Sequence, residues 1–132
     1  MITEELLEEY SNSKYVIADA HVMRIGSPLP VELIEWLTAH GATTAALLGA
    51  EYPGSKPTTA EENERQHQAL IHECTERGLH WLPAVGMCES WHERHVFVAG
   101  LDTDAAHDFC TRYQQNAVVT YTIGGVAELL IA

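Results

Sequence analysis

The apolar run TTAALLGA, residues 43–50, most constrains what this chain can fold into. It has the length of a β-strand and is almost continuously apolar, as expected of a strand covered on both faces of a sheet. Candidate helices and further strands alternate around it, which favours one mixed sheet with helices packed on it. We therefore predict the α/β fold class: a single compact domain over residues 1–132, with elements in the order α-β-α-β-α-β-β-α-β-β. Parallel neighbours would be joined by right-handed crossovers.

Three shorter segments give local predictions. KYVIADAHVMRI is interpreted as one strand, with Asp19 and His21 on the same face as an acid/base pair or an ordinary hydrogen-bonded couple. Thr59 and Glu62 have the spacing of a capping box, which predicts the start of a long helix. GMCESWHE is predicted to be a loop that precedes the strand RHVFVAG.

The charge balance argues against one class of partner. The 132 residues include 7 Lys and Arg against 19 Asp and Glu, for a formal net charge of -12. Binding a nucleic-acid backbone requires a basic stripe, so we predict no nucleic-acid partner. The acidic surface is compatible with simple solvation or with a basic protein partner.

Neither a membrane nor a disulfide framework is indicated. No apolar run approaches the roughly 20 residues that span a bilayer, and MITEELLEEY has acids where a signal peptide has basic and then apolar residues. Cys74, Cys88 and Cys110 are odd in number and widely spaced, which fits reduced thiols. We predict a soluble cytoplasmic protein with two of these cysteines in its core.

The stretch GAEYPGSKPTTAEEN, residues 49–63, is either a binding loop or only a turn. In α/β sheets, ligands favour the region beyond the carboxyl ends of central strands, where Glu51, Tyr52 and Ser55 follow the apolar run. The loop lacks the Gly-Lys-Ser/Thr of a phosphate-binding loop. Glu61 and Glu62 at the next helix start also repel an anion.

Asn63 and His67 lie on the apolar stripe of the helix after this loop. Buried polar groups need hydrogen-bond partners. Two interpretations are open: both side chains brace the loop backbone, or both line a cleft beside Glu51, Tyr52 and Ser55.

Two further groups contain residues of functional types. The segment MCESWHERH gathers metal-ligand types, namely Cys88, Glu89, His92, Glu93 and His95. A His-x-x-His pair without a fixed third partner is a weak signal, and strand alternation separates some of the five, so we predict no metal site. The amides of Gln114, Gln115 and Asn116 precede a strand and either contact a ligand or finish a helix.

These residues together resemble the bacterial family catalogued as domain of unknown function 3293. The similarity covers nearly the whole chain. It rests on Tyr10, Tyr15, RIGSP, AALLGAEYPGS, Asn63, GLHWLPAVG, Glu93 before VFVAGL, and YQQNAVV.

The central motif of that family is Thr-Ala-x-Asn-Pro-x-Ser, followed by an asparagine in the next helix. Ala50, Pro53, Ser55 and Asn63 match it. Gly49 stands where the family usually has threonine, and Tyr52 where it has asparagine, so the site differs here if that pair forms it. The resemblance implies one compact α/β domain and names no reaction. It ranks Ser55, Asn63, Glu93 and Gln115 above Cys88, His92 and His95.

Two functions from different classes follow as expectations. The first is binding of a polar, nucleotide-like or other small metabolite in a cleft beside residues 49–63, with His67 or Glu93 as the acid/base candidate. The ligand-binding residues would be Glu51, Tyr52, Ser55, Asn63 and Gln115. The alternative is a non-catalytic protein whose acids, from the first and third helices, form one patch for a basic protein partner. The sequence identifies no cofactor.

Overall fold

The computed structural model describes residues 3–88 and 91–132; the side chain of Ser55 lies outside the described part. Within these residues the chain forms four α-helices and seven strands, and none of the helices is both long and apolar enough to cross a membrane. The elements in chain order are α1 Glu4–Asn12, β1 Lys14–Ile17, β2 His21–Met23, α2 Val31–Ala39, β3 Thr44–Gly49, a 3-10 turn Pro53–Ser55, α3 Ala60–Glu76, β4 Trp81–Cys88, β5 Trp91–Ala99, α4 Thr103–Arg112, β6 Ala117–Thr122 and β7 Glu128–Ile131.

All seven strands form one sheet in the order β2-β1-β4-β5-β3-β6-β7. The α/β class is confirmed, but the prediction of parallel neighbours is wrong because each pair of adjacent strands is antiparallel. β3 and β4, which α3 connects, do run in the same direction. β5 lies between them and is antiparallel to both. The short connection between β4 and β5 accounts for the antiparallel pairing of those two strands.

The apolar run forms the strand β3, as predicted, between β5 and β6. Ala45, Ala46, Leu47 and Leu48 are all buried. Side chains alternate along a strand, so Ala45 and Leu47 belong to one core and Ala46 and Leu48 to the other. The two cores define the two faces of the sheet.

The sheet curls until its two ends meet. Ile25, just after β2, forms a bridge with Ala127, just before β7. The Gly26 N–H donates to the Ala127 carbonyl at 2.7 Å, and the Ala127 N–H donates to the Ser27 carbonyl at 3.0 Å. We call the face that packs against α2 the inner face and the face covered by α3 and α4 the outer face.

Two sequence interpretations change at turns. KYVIADAHVMRI is a hairpin of β1 and β2 rather than one strand, because Ala18 and Asp19 have φ of 54° and 58°, the φ signs of a type I′ turn. Asp19 therefore lies in the turn, and the shared strand face predicted for it and His21 does not exist. GMCESWHE is mostly strand: β4 extends to Cys88 and β5 begins at Trp91.

Helix starts and cysteines agree with the sequence. Thr59 caps α3, its Oγ1 accepting from the Glu62 N–H at 3.1 Å. Asp102 caps α4 in the same way, by accepting from the Ala105 N–H at 2.8 Å. Cys74 and Cys110 are buried in the core, and the described cysteines are free thiols.

The β1–β2 turn gives a direct stability test. Asp19→Gly removes the steric cost of a left-handed residue, and we expect a gain of about 0.5–1 kcal/mol in the free energy of unfolding. Ala20→Gly, one residue further along, is the matched control and should not stabilise, because Ala20 lacks a positive φ. Urea unfolding of both variants measures the difference; equal effects would contradict this account of the turn.

Candidate functional site

A cavity of about 210 Å³ lies between α1 and the inner face of the sheet. Its apolar lining includes Leu6, Leu47, Val119 and Leu129. Polar and aromatic residues form the rest of the lining. The polar and aromatic lining consists of Glu9, Tyr10, Ser13, Tyr15, Trp91, Glu93, His95 and Gln115.

Alternation along β5 brings its functional residues into this cavity. Trp91, Glu93 and His95 line the cavity, while Arg94 between them bonds to Glu64 of α3 on the outer face. Glu93 pairs with Gly86 of β4 in the register of the sheet. The carboxyl and imidazole are therefore held on a regular strand rather than on a loop.

Two glycines make room for His95. A Cβ at Gly49 would lie 3.0 Å from His95 Cδ2 and Nε2, and a Cβ at Gly86 would lie 3.0 Å from His95 Cε1 and from the Tyr15 ring. The Tyr15 and His95 rings meet edge to face with centroids 5.7 Å apart. The threonine that the resemblance implies at position 49 would not fit beside this ring without displacing it.

Burial sets the protonation of the Glu93–His95 pair. Desolvation, reinforced by the nearby charge of Glu51 and opposed by a hydrogen bond from Trp91, raises the pKa of Glu93 to about 7. Desolvation lowers the pKa of His95 to about 4. At neutral pH the carboxyl is thus close to half ionised and the imidazole is neutral.

The hydrogen bond of His95 identifies its tautomer. His95 Nδ1 lies 3.2 Å from the carbonyl oxygen of Glu93, which can only accept, so Nδ1 carries the proton. His95 Nε2 is then an acceptor, 3.9 Å from Glu93 Oε2. Together the two side chains can donate a proton, accept one, or hold a polar group placed between them.

On the outer face, Glu51 and Arg94 join the end of β3 to β5. The Glu51 carboxylate is 6% exposed and accepts hydrogen bonds from Arg94 N–H (2.8 Å), Nε (2.9 Å) and Nη2 (2.7 Å). Arg94 Nη1 also donates to Glu64 of α3 at 2.6 Å. The pair is partly buried, since the Arg94 side chain is 39% exposed, and such bidentate pairing fixes geometry more than it adds stability.

Asn63 braces the loop after β3, one of the two roles left open by the sequence. Its Oδ1 accepts from the Tyr52 backbone N–H at 2.9 Å and from Thr58 Oγ1 at 2.6 Å. The first bond holds Tyr52 in a left-handed conformation with φ of 48°, which a tyrosine rarely adopts. The Tyr52 ring lies against Trp91, with centroids 4.6 Å apart.

His67 is buried on α3, 7% exposed, and its Nδ1 has no hydrogen-bond partner within the described structure. Burial, and then the positive charge of Arg94, lowers its pKa, while Glu51 and Glu64 act in the opposite direction. It is absent from the cavity lining. Of the two acid/base candidates, Glu93 is the one that lines this cavity.

The structure does not bring the candidate residues into one pocket. Glu93 and Gln115 line the cavity, whereas Asn63 and His67 lie on α3 at the outer face. Gln115 connects the two regions because its Nε2 donates to the Glu51 carbonyl at 3.0 Å. Glu51 and Tyr52 belong to the braced loop, and the side chain of Ser55 lies outside the described residues.

Sequence reasoning ranked His95 and Cys88 low and missed the lining residues of α1. One signal for His95 was available: Gly49 pairs with His95, and Gly86 pairs with Glu93, so two glycines lie opposite the residues of β5 that line the cavity. That signal could be used only after the register was known. Neither Leu6 nor Glu9 of α1 carried a pattern that pointed to a site.

The residues of MCESWHERH that could ligate a metal lie on both faces of the sheet. Cys88, Glu93 and His95 face the cavity, and His92 pairs with Met87 on the opposite face. Glu89 lies outside the described residues. Across residues 3–88 and 91–132, no three such side chains are grouped so that they could hold a metal ion.

Comparison with protein families identifies a relationship over the segment that contains this site. Residues 48–118 match the family described as "Protein of unknown function (DUF3293)". The chain belongs to this family. The match runs from β3 to the beginning of β6 and includes Glu93, His95 and Gln115. No curated protein and no solved structure gives a significant match.

We expect Asn63→Ala to destabilise the protein. It leaves the Tyr52 N–H without its acceptor, and an unsatisfied buried donor costs about 2 kcal/mol. Urea unfolding measures the loss, and Gln68→Ala on the exposed side of α3 is the control, expected within about 0.5 kcal/mol of wild type. If the two variants were equally stable, Asn63 would not be a brace.

The raised pKa of Glu93 predicts a pH-dependent stability difference between Glu93→Gln and wild type. The folded protein keeps the proton of the Glu93 carboxyl up to about pH 7, whereas the unfolded chain keeps it only up to about pH 4.5. The free energy of unfolding therefore falls as pH rises through this window. Relative to Glu93→Gln, wild type should lose roughly 3 kcal/mol between pH 4.5 and pH 8.

His95 has the opposite effect because its folded pKa is lowered, so its contribution rises with pH between 4 and 6.5. Subtracting the two unfolding curves removes this background, since both proteins retain His95. Glu61→Gln, at an exposed position, is the control. A difference between Glu93→Gln and wild type that did not vary with pH would refute the raised pKa.

Proposed function

We propose that this protein binds a small organic molecule in the cavity between α1 and the inner face, with Glu93 as the ionisable group that contacts it. The observation that carries the proposal is the Glu93–His95 pair inside that cavity, with side chains only 16% and 12% exposed. Burying a carboxyl lowers stability. Binding and acid/base chemistry are the usual reasons for such an arrangement.

The cavity offers both parts of a small-molecule site. Leu47, Val119 and Leu129 supply an apolar wall, and Glu93, His95 Nε2 and Gln115 supply polar groups that fix orientation. Glu93 and His95 stand on β5, and Gln115, in the connection between α4 and β6, is held by hydrogen bonds from its Nε2 to the carbonyls of Glu51 and Tyr113, so the site is preorganised. His67, the other acid/base candidate, does not line this cavity and is assigned no catalytic role.

The alternative of an acidic docking patch has less support. It required the acids of α1 and α3 to gather, but α1 covers the cavity on the inner face while α3 packs on the outer face. Several α3 acids are also paired within the chain: Glu62 with Arg65, Glu64 with Arg94, and Glu73 with Arg77 and Arg112.

Cys88 provides a direct test, because it lines the cavity and Cys74 and Cys110 are buried internal controls. Phenol, benzyl alcohol, benzylamine and benzoate serve as probes. We expect at least one of them to slow alkylation of Cys88 by iodoacetamide severalfold and to raise the unfolding midpoint by mass action. Peptide mass spectrometry reports each cysteine separately.

Ala117→Leu tests whether the effect belongs to the cavity. Ala117 lines it, so the larger side chain should abolish both the protection of Cys88 and the thermal shift. Ala69→Leu, the same change at an exposed position of α3, should leave both intact. The proposal fails if no probe protects Cys88, or if protection survives in Ala117→Leu.

A further inference from the structure

The charges around the cavity are one-sided. Glu93 and Glu9 are acids of the lining, and no Lys or Arg appears in the lining among the described residues. Arg94, which follows Glu93 in the sequence, forms ion pairs with Glu51 and Glu64 on the outer face. A carboxyl group held out of water with no cation opposite it either keeps its proton or pairs with a cation that a ligand supplies.

The aromatic lining is suited to the same counter-charge. Trp91 hydrogen-bonds to Glu93, and Tyr10 and Tyr15 also line the cavity. Aromatic rings attract organic cations through their faces. A carboxylate beside several rings is therefore a combination that selects positive charge.

The other groups around Glu93 do not oppose a cation. Among the described residues, His95 is the one imidazole of the lining, and it is neutral at pH 7 because burial lowers its pKa to about 4. The β6 and β7 positions in the lining, Ala117, Val119 and Leu129, are uncharged. The titratable groups that face or influence Glu93 are Glu9 and Tyr10 from α1, Tyr15 from β1, Cys88 from β4, His95 from β5 and Glu51 from the loop after β3.

We infer that the ligand of this cavity carries a compact organic cation, a protonated amine on a small apolar body, which pairs with the Glu93 carboxylate. The inference rests on the proposed function and specifies its ligand class. The apolar body packs against Leu47, Val119 and Leu129, and the ammonium group donates to Glu93 and to His95 Nε2. Phosphates and nucleotides would meet two acids and no cation, which argues against the nucleotide-like ligand considered from the sequence.

Matched probes separate charge from shape. Benzylamine, benzyl alcohol and benzoate share one body, as do n-butylamine, n-butanol and butyrate. By isothermal titration calorimetry, we expect each amine to bind at least tenfold more tightly than its alcohol, and the carboxylates to bind most weakly. Glu93→Gln should reduce amine affinity to that of the alcohol.

The pH dependence gives an independent readout. The amines stay protonated between pH 6 and pH 8, while the ionised fraction of Glu93, with a pKa of about 7, rises from roughly 0.1 to roughly 0.9. Amine affinity should therefore increase about tenfold across this range. Glu93→Gln removes the increase. A ligand that instead accepted a proton from Glu93 would bind more weakly as pH rises.

The outcomes distinguish the two levels of the proposal. If no probe of any charge binds in the cavity, the proposed function fails. If alcohols or carboxylates bind as tightly as amines and protect Cys88, the cavity is a binding site and the inference of a cationic ligand is wrong. Glu8→Gln, at an exposed position of α1 outside the cavity lining, controls for general attraction by acids and should change amine affinity by no more than about twofold.

Discussion

The partly buried ion pair between Glu51 and Arg94 determines how the site is arranged. Glu51 accepts both the backbone N–H and the guanidinium of Arg94, which fixes β5 in register at the point where β3 ends. Because strand neighbours point to opposite faces, Arg94 can face α3 only if Glu93 and His95 face the cavity. One ion pair on the outer face therefore sets the orientation of two residues on the inner face.

The two faces consequently serve different purposes. On the outer face, polar groups pair within the chain, as Asn63 does with Tyr52 and Arg94 with Glu51, although His67 Nδ1 has no partner within the described structure. On the inner face Glu93 is buried without a cation and lowers stability at neutral pH. Proteins keep such residues where activity or binding requires them, at a cost in stability.

Local features were predictable from the sequence, and long-range ones were not. The capping box at Thr59, the buried strand 43–50 and the buried positions of Asn63 and His67 follow from spacing within one element. Strand order does not, since β5 separates β3 from β4 through pairing that no local pattern records. The β1–β2 turn was missed because Ala18 and Asp19 are not the Asn-Gly usual at such turns. Without strand order, Glu93 could not be separated from Asn63.

The glycine at position 49 also has a meaning for the family as a whole. A Cβ at this position would lie 3.0 Å from two atoms of the His95 ring, so a side chain at position 49 requires that ring to shift, and residues 49 and 95 compete for one volume. We expect these two positions to covary among relatives: histidine at 95 where residue 49 is glycine, and a smaller residue at 95 where residue 49 is threonine. If so, the family contains two versions of the cavity: in one the side chain of residue 95, on β5, fills this space, and in the other the side chain of residue 49, on β3, fills it. An alignment of the family in which threonine at 49 commonly accompanies histidine at 95 would contradict this.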